Sequence, residues 1–220
     1  MAAAPSALGS CMAQIRGFRP DDLDALYRIC LATGDAGADA THLYRDPKLI
    51  GHVYAGGYAA ISPETVFVAE DDEGVAGYIL GPADTRAFET EMEAQWWPPL
   101  RTRYPDVAGP PTSLDARMSH LLHHAARLSD SIVASYPAHL HINLLPRLRG
   151  QGFGQALVDR WRNAVAALGA TGAHLVVGTR NERAVRFYRA YGFHEVERPN
   201  GPPHTIVFGI TMSIDGVQKE

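Results

Sequence analysis

Between an apolar run ending at Leu145 and a helical pattern beginning at Gly152 lies Pro146-Arg147-Leu148-Arg149-Gly150-Gln151-Gly152-Phe153-Gly154, the stretch that most constrains how this chain can fold. Within it a strand must end, the backbone must turn through angles that a Cβ disfavours, and a helix must begin. Glycines at 150, 152 and 154 let successive N–H groups converge on an anion at the helix N-terminus, a geometry suited to a pyrophosphate. Arg147 and Arg149 add positive charge on its flank. No Lys-Ser or Lys-Thr follows the glycines, and neither Gly150 nor Gly152 begins a Gly-x-Gly-x-x-Gly match, so two familiar phosphate loops are excluded. What remains is Arg-x-x-Gly-x-Gly, read as Arg149, Gly152 and Gly154, which by itself is also readable as a plain turn opening a helix.

A second segment, Asn181-Glu182-Arg183-Ala184-Val185-Arg186-Phe187-Tyr188-Arg189-Ala190-Tyr191-Gly192-Phe193, follows an apolar strand pattern. Asn181 is a helix N-cap candidate; Ala184, Phe187, Tyr188 and Tyr191 recur at helical spacing, and Gly192 suits a left-handed C-terminal position. The two segments together, in this order with one strand between them, resemble the coenzyme A-binding motifs of the GCN5-related N-acetyltransferase (GNAT) superfamily. More narrowly, Tyr27-Arg28-Ile29-Cys30, Leu49-Ile50-Gly51, Gly56-Gly57, Phe67-Val68-Ala69-Glu70-Asp71, Gly77-Tyr78-Ile79-Leu80-Gly81 and Trp96-Trp97-Pro98 resemble the acetyltransferase-like domain attached to animal O-GlcNAc hydrolases.

The resemblance implies an α/β fold, a mixed and mostly antiparallel twisted sheet with splayed central strands, flanked by helices. The remaining patterns agree. Gln14 to Phe18 reads as a strand, and Leu23, Leu26, Tyr27, Cys30 and Leu31 form one helical stripe. A short helix is expected from Asp46-Pro47 to about Tyr54, and Thr65 to Glu70 pairs with Val75 to Leu80 as a hairpin across Asp71-Asp72-Glu73-Gly74. Helical patterns near Phe88 to Trp97 and Leu114 to Ile132 form an insertion over about 84–137. His139 to Leu145 reads as a central strand, Gly152 to Leu168 as a helix, Ala173 to Thr179 as a strand and Asn181 to Tyr191 as a helix, with strands at Phe193 to Arg198 and Thr205 to Met212. Residues 1–13 are expected to be a flexible tail and 14–220 a single domain.

With 220 residues and a formal net charge of -4, the chain has no basic excess that would suggest nucleic acid. No apolar run approaches the ~20 residues that cross a bilayer, and the Ala-rich start lacks the pattern of a secretory signal. Cys11 and Cys30 form no disulfide framework, so a reducing, cytoplasmic setting is expected, as a monomer or homodimer. His120, His123 and His124 have no carboxylate at ligand spacing in the sequence, and no metal is expected.

The resemblance also implies a site. Acetyl-coenzyme A would be the cosubstrate, held by Leu144, Leu145, Arg149, Gly150, Gln151, Gly152, Phe153, Gly154, Asn181, Phe187 and Tyr188. The backbone N–H of Leu144 would face the acetyl carbonyl, and Tyr188 would serve as general acid for the departing thiolate. The acceptor is expected to be an amine, of a small molecule or a protein lysine, attacking directly in a ternary complex. No glutamate stands near the start of the central strand, so His141, or His139, is the candidate base, with Asp35, Asp84 and Glu70 as water-mediated alternatives. Trp96, Trp97, Glu89, Glu91 and Glu93 could line an acceptor site or simply pack. The alternative reading is a catalytically inactive module that binds acetyl-coenzyme A or another protein.

Overall fold

A computed structural model describes residues 13–106, 109–197 and 203–212 of the chain. Apart from Ala13, the expected tail lies outside the described residues, as do Cys11 and Arg198. Two four-stranded sheets lie side by side. The first, in the order β1-β2-β3-β5, contains β1 (Gln14–Gly17), β2 (Phe67–Asp71), β3 (Gly74–Leu80) and β5 (His141–Leu144). The second, in the order β4-β6-β8-β7, contains β4 (Ala138–His139), β6 (Gly172–Gly178), β7 (His194–Val196) and β8 (Thr205–Thr211). All neighbours are antiparallel except β4 and β6.

The expected single strand at His139 to Leu145 is therefore split. Ala138 and His139 pair in parallel with Ala173 and His174, and the Leu140 N–H donates the last rung to the His174 carbonyl at 3.3 Å. From His141 onward the chain leaves β6 and pairs only with β3, Leu80 facing His141 and Gly77 facing Leu144. A wedge opens between β5 and β6. Periodicity cannot reveal this change of partner, because the backbone stays extended throughout.

The helices are α1 (Leu23–Ala32), a continuous run of α2 (Leu49–Gly51), a π segment (His52–Gly56) and α3 (Gly57–Ile61), then α4 (Thr85–Glu91), a second π segment (Met92–Trp96) and α5 (Trp97–Arg103). They are followed by α6 (Leu114–His123), α7 (Asp130–Ser135), α8 (Phe153–Ala167) and α9 (Glu182–Tyr191). Two expectations are corrected here. The helix after Pro47 starts only at Leu49 and runs to Ile61, continued by packing of Gly56 and Gly57 against Tyr27, Met92 and Trp96. The pattern at Leu114 to Ile132 is two helices, since α6 ends at His123 and α7 restarts at Asp130.

Strand alternation assigns the two faces of the sheets. Leu140, Ile142 and Leu144 join an apolar layer with Leu157, Val158, Trp161 and Val165 of α8, while Tyr78, Leu80 and Val68 pack with α1 and the insertion. Arg16 ties β1 to its surroundings, its guanidinium forked between Asp22 at 2.6 Å and Glu70 at 2.6 Å.

Candidate functional site

After β5 the chain makes a 3-10 turn at Pro146–Leu148, and Gly150 (φ +74) and Gly152 (φ +85) then adopt left-handed backbone angles that an L side chain disfavours. Gly152 caps α8, and the first bond into the helix runs from the Ala156 N–H to the Gly152 carbonyl at 3.0 Å. The N–H groups of Gly150, Gln151, Gly152, Phe153, Gly154 and Gln155 find no acceptor among the described residues. They form a crown of donors at the positive end of a 15-residue helix, the arrangement that holds a phosphate oxyanion. Among the described residues, both left-handed glycines face open space where a Cβ would stand.

The two arginines of the loop divide their labour. Arg147, expected to add charge to the loop, donates instead to Asp71 at 2.7 Å and to the Gly74 carbonyl, pinning the β2–β3 hairpin. Arg149 donates to the Leu144 carbonyl at 2.8 Å and the Gly37 carbonyl at 3.0 Å, and has no acidic partner among the described residues. Burial and the neighbouring Arg183 lower its pKa. Arg183, which the sequence did not single out, lies against Gly37 and likewise has no ion pair among the described residues.

The wedge begins where the loop starts. The Leu145 N–H donates to the Ala76 carbonyl of β3 at 2.8 Å, and the Leu140 N–H points the other way, to β6. Alternation then turns the Ile142 and Leu144 N–H groups toward the wedge, and neither has an acceptor among the described residues. The Leu144 side chain leans across β3, and a Cβ at Gly77 would come within 2.2 Å of it, so Gly77 makes room for this residue. Gly154 backs onto Phe187 and Leu144, joining the loop to α9.

On α9, Asn181 Oδ1 accepts from the Ala184 N–H at 3.2 Å and Gly192 (φ +111) ends the helix, as the sequence led us to expect. Tyr188 is buried among Phe187, Phe193 and Phe208. Its hydroxyl has no hydrogen-bond partner among the described residues, yet it is not a sealed atom. Burial pushes this phenol above its ordinary value of 10, so it keeps its proton at neutral pH.

On the other face of β5 stands a cluster of imidazoles. Tyr58 Oη lies 2.9 Å from His139 Nε2 and 3.0 Å from His141 Nε2, and Thr85 Oγ1 lies 2.8 Å from His139 Nδ1. His174 Nδ1 donates to the Tyr136 carbonyl at 2.6 Å. Burial, with the His174 ring as a lesser cause, holds His141 down to about 4. His139 too lies well below its ordinary value, through burial first and then the His174 and His141 rings. Val176, two residues beyond His174 on the same face of β6, is 44% exposed.

The water-mediated alternatives are all engaged elsewhere. Glu70 accepts from Gln14 and Arg16, Asp84 caps α4 through the Arg86 and Ala87 N–H groups, and Asp35 pairs with Arg180 at 3.4 Å. The tryptophans pack: Trp97 is buried and Trp96 Nε1 donates to the His52 carbonyl at 2.9 Å. Glu89 and Glu93 are paired with Arg86, Arg127 and Arg101, and Glu91 accepts from Gln95. One expectation of the sequence is corrected: His120 and His124 do have a carboxylate beside them, Asp106, brought in from the loop after α5 at 3.2 and 2.6 Å.

The family model of the acetyltransferase (GNAT) domain matches residues 122–195, which span the wedge, the donor crown and α9. A crystal structure of SsHAT superposes with a TM-score of 0.84 at 38% identity, over 90% of this chain and 98% of that one. The chain belongs to the GCN5-related N-acetyltransferase family. Its GNAT domain also aligns with protein O-GlcNAcase of Rattus norvegicus, 26% identical over 195 residues, which is 88% of this chain and 21% of that protein. The chain thus spans about a fifth of the length of that curated relative. A GNAT superfamily phosphinothricin acetyltransferase from Sinorhizobium meliloti, solved in complex with AcCoA, shares the fold, with a TM-score of 0.53 at 17% identity over 92% of this chain and 89% of that one. Among the described residues no helix is long and apolar enough to cross a membrane.

Proposed function

We propose that this GNAT domain transfers an acetyl group from acetyl-coenzyme A to an amine by direct attack in a ternary complex. The observation that carries this reading is the crown of N–H groups from Gly150 to Gln155, unpaired among the described residues, adjoining a wedge that the Leu144 N–H faces. In this reading the pyrophosphate rests on Gly150, Gln151, Gly152, Phe153 and Gly154, with Arg149 supplying charge. Asn181, Phe187 and Tyr188 flank the coenzyme from α9, and Leu144 and Leu145 line its thiol-bearing arm. The Leu144 N–H donates to the acetyl oxygen as negative charge develops there, which stabilises the transition state more than the ground state.

Tyr188 supplies the proton for the departing sulfur. Desolvation raises its pKa, and a thiolate leaving into the same apolar surroundings becomes more basic for the same reason, so the proton can still pass. His141 is the proposed base on the acceptor side. The reading assigns no metal to the reaction, and the protein would act in the cytoplasm as a monomer or homodimer. A second reading, a coenzyme-binding module without turnover, is favoured by one observation: no carboxylate pairs with His139 or His141 among the described residues. Release of free thiol from acetyl-coenzyme A in the presence of an amine panel separates the two. Amine-dependent release is expected, and binding without release would establish the second reading.

A further inference from the structure

The hydrogen bonds around Tyr58 determine where each proton of the cluster sits. Thr85 Oγ1 is 2.7 Å from the Pro137 carbonyl oxygen, and two oxygens approach that closely only with a proton between them. The carbonyl has none to give, so the single Thr85 proton is committed to it. His139 Nδ1, 2.8 Å from the same hydroxyl, must therefore be the donor to Thr85. A neutral imidazole carries one N–H, so His139 Nε2 is a bare acceptor and takes the Tyr58 proton at 2.9 Å. Tyr58 has no second proton, so His141 Nε2–H must donate to Tyr58 Oη at 3.0 Å. By elimination the lone pair of His141 is on Nδ1. That atom has no partner among the described residues, is not sealed from solvent, and belongs to a half-buried ring on the strand that borders the wedge.

The surroundings also say what kind of amine can meet it. Tyr54 lies edge-on to His141 at 5.6 Å and Tyr58 at 5.2 Å, so the walls are aromatic. Among the described residues, the charged and titratable groups packed around the cluster are His139 and His174 from the strands, Tyr54, Tyr58, Tyr78 and Tyr136, Cys30 and the cationic Arg117 near Tyr54, and Glu89 with Arg86 from α4, which neutralise one another at 2.8 Å. None of them offers an ammonium group a counter-ion at His141.

We propose that Thr85, His139 and Tyr58 form a relay that locks the tautomer of His141, presenting its Nδ1 lone pair as the proton acceptor for an amine that enters neutral, of the arylamine or hydrazine class. This rests on the acetyl-transfer reading above. The amine lone pair forms the new C–N bond at the thioester carbonyl and the C–S bond breaks with its electrons on sulfur. His141 Nδ1 takes the proton from nitrogen, and the sulfur takes one from Tyr188. Proton return from the imidazolium to the tyrosinate through solvent closes the cycle, leaving amide and free thiol. An imidazole held at about 4 would take a proton from a lysine ammonium, reference value ~10.4, only against a factor of about a million, whereas a neutral amine becomes acidic once its nitrogen is bonded to the carbonyl. His141 is the group that touches the substrate; Tyr58, His139 and Thr85 are positioning residues.

The test has two parts. Nitrogen-15 spectra of histidine-labelled protein at pH 7, with and without coenzyme A, read the tautomer directly. His141 is expected with a protonated Nε2 and a bare Nδ1, and Tyr58→Phe, which keeps the ring stacked on Phe88, is expected to give a mixture. A protonated Nδ1 in the wild-type protein would overturn the relay. Kinetics with aniline, phenylhydrazine and Nα-acetyllysine, corrected for uncatalysed acetylation, form the second part. Phenylhydrazine or aniline should exceed the lysine derivative at least tenfold in kcat/KM, and Tyr58→Phe should lower kcat about 10- to 100-fold while the KM for acetyl-coenzyme A stays within twofold. Thr85→Val should act in the same direction with a smaller loss. A preference for lysine, an unchanged kcat in Tyr58→Phe, or no turnover of any amine by protein that binds acetyl-coenzyme A would each overturn the proposal. Failure of the wild-type protein to bind acetyl-coenzyme A would instead sink the underlying transfer reading, and His141's catalytic role with it.

Discussion

At the residue scale, Gly152 is the position where backbone geometry and charge meet. Its left-handed angle excludes most side chains, and its N–H belongs to the donor crown. Gly152→Asp would strain the turn and set a carboxylate against the pyrophosphate, so affinity for acetyl-coenzyme A should fall at least about 100-fold, as measured by calorimetry. Unchanged affinity would remove the anion assignment from this loop. Tyr188→Phe deletes only a hydroxyl, so kcat should drop about tenfold or more with coenzyme affinity nearly intact. A wild-type rate would reduce Tyr188 to packing. The glycines and Asn181 were legible in the sequence because turns and caps are local. The partners of Arg147 and Tyr58 were not, since Asp71 is 76 residues from Arg147 and His141 is 83 from Tyr58.

The histidine pair also fixes a pH dependence of stability. Folding lowers the pKa of His139 and His141 below 6.5, so as pH falls the unfolded chain takes up the protons first. Stability is full above about 6.5 and is lost progressively toward 4. At pH 5 the loss from His141 alone should be about 2 kcal/mol, from 1.36 kcal/mol per pH unit below 6.5, and His139 adds to it in the same direction. Urea unfolding at pH 7 and pH 5 reads this directly; equal stabilities would mean that the cluster is not held neutral.

At the element scale, α8 both supports the crown and anchors the sheet. Leu157, Val158, Trp161 and Val165 are fully buried at helical spacing, and Trp161 Nε1 donates to the Gly81 carbonyl at 2.9 Å. Trp161→Ala should therefore cost about 3–5 kcal/mol in chemical unfolding. A loss below about 1 kcal/mol would show that the helix is not fastened there. Helix boundaries set by a glycine or a cap were readable, as in α9. The extension through Ile61 was not, because it depends on Tyr27, Met92 and Trp96 closing on Gly56 and Gly57 from distant parts of the chain. The division of the central strand at Leu140 escaped the sequence for the same reason: both halves are extended, and only their partners differ.

At the scale of the whole molecule, two sheets share one continuous stretch of chain and part company after Leu140. The parting leaves backbone donors of Ile142 and Leu144 unpaired among the described residues, at a position bordered by the crown, by α9 and by the histidine cluster. Unpaired backbone groups in a half-buried setting are costly, and a bound ligand that accepts from them offsets that cost. The fold class was legible from two short motifs because their order is tied to the strand between them; of the histidine cluster only His139 and His141 stood out in the sequence, because their partners Tyr58, Thr85 and His174 come from α3, α4 and β6. The central claim is that this wedge binds acetyl-coenzyme A. Calorimetric titration of the wild-type protein with acetyl-coenzyme A, with coenzyme A and an adenine nucleotide as comparisons, tests it most directly. Saturable binding with one site per chain, tighter for acetyl-coenzyme A than for the nucleotide, is the predicted result; no heat of binding for acetyl-coenzyme A would contradict it.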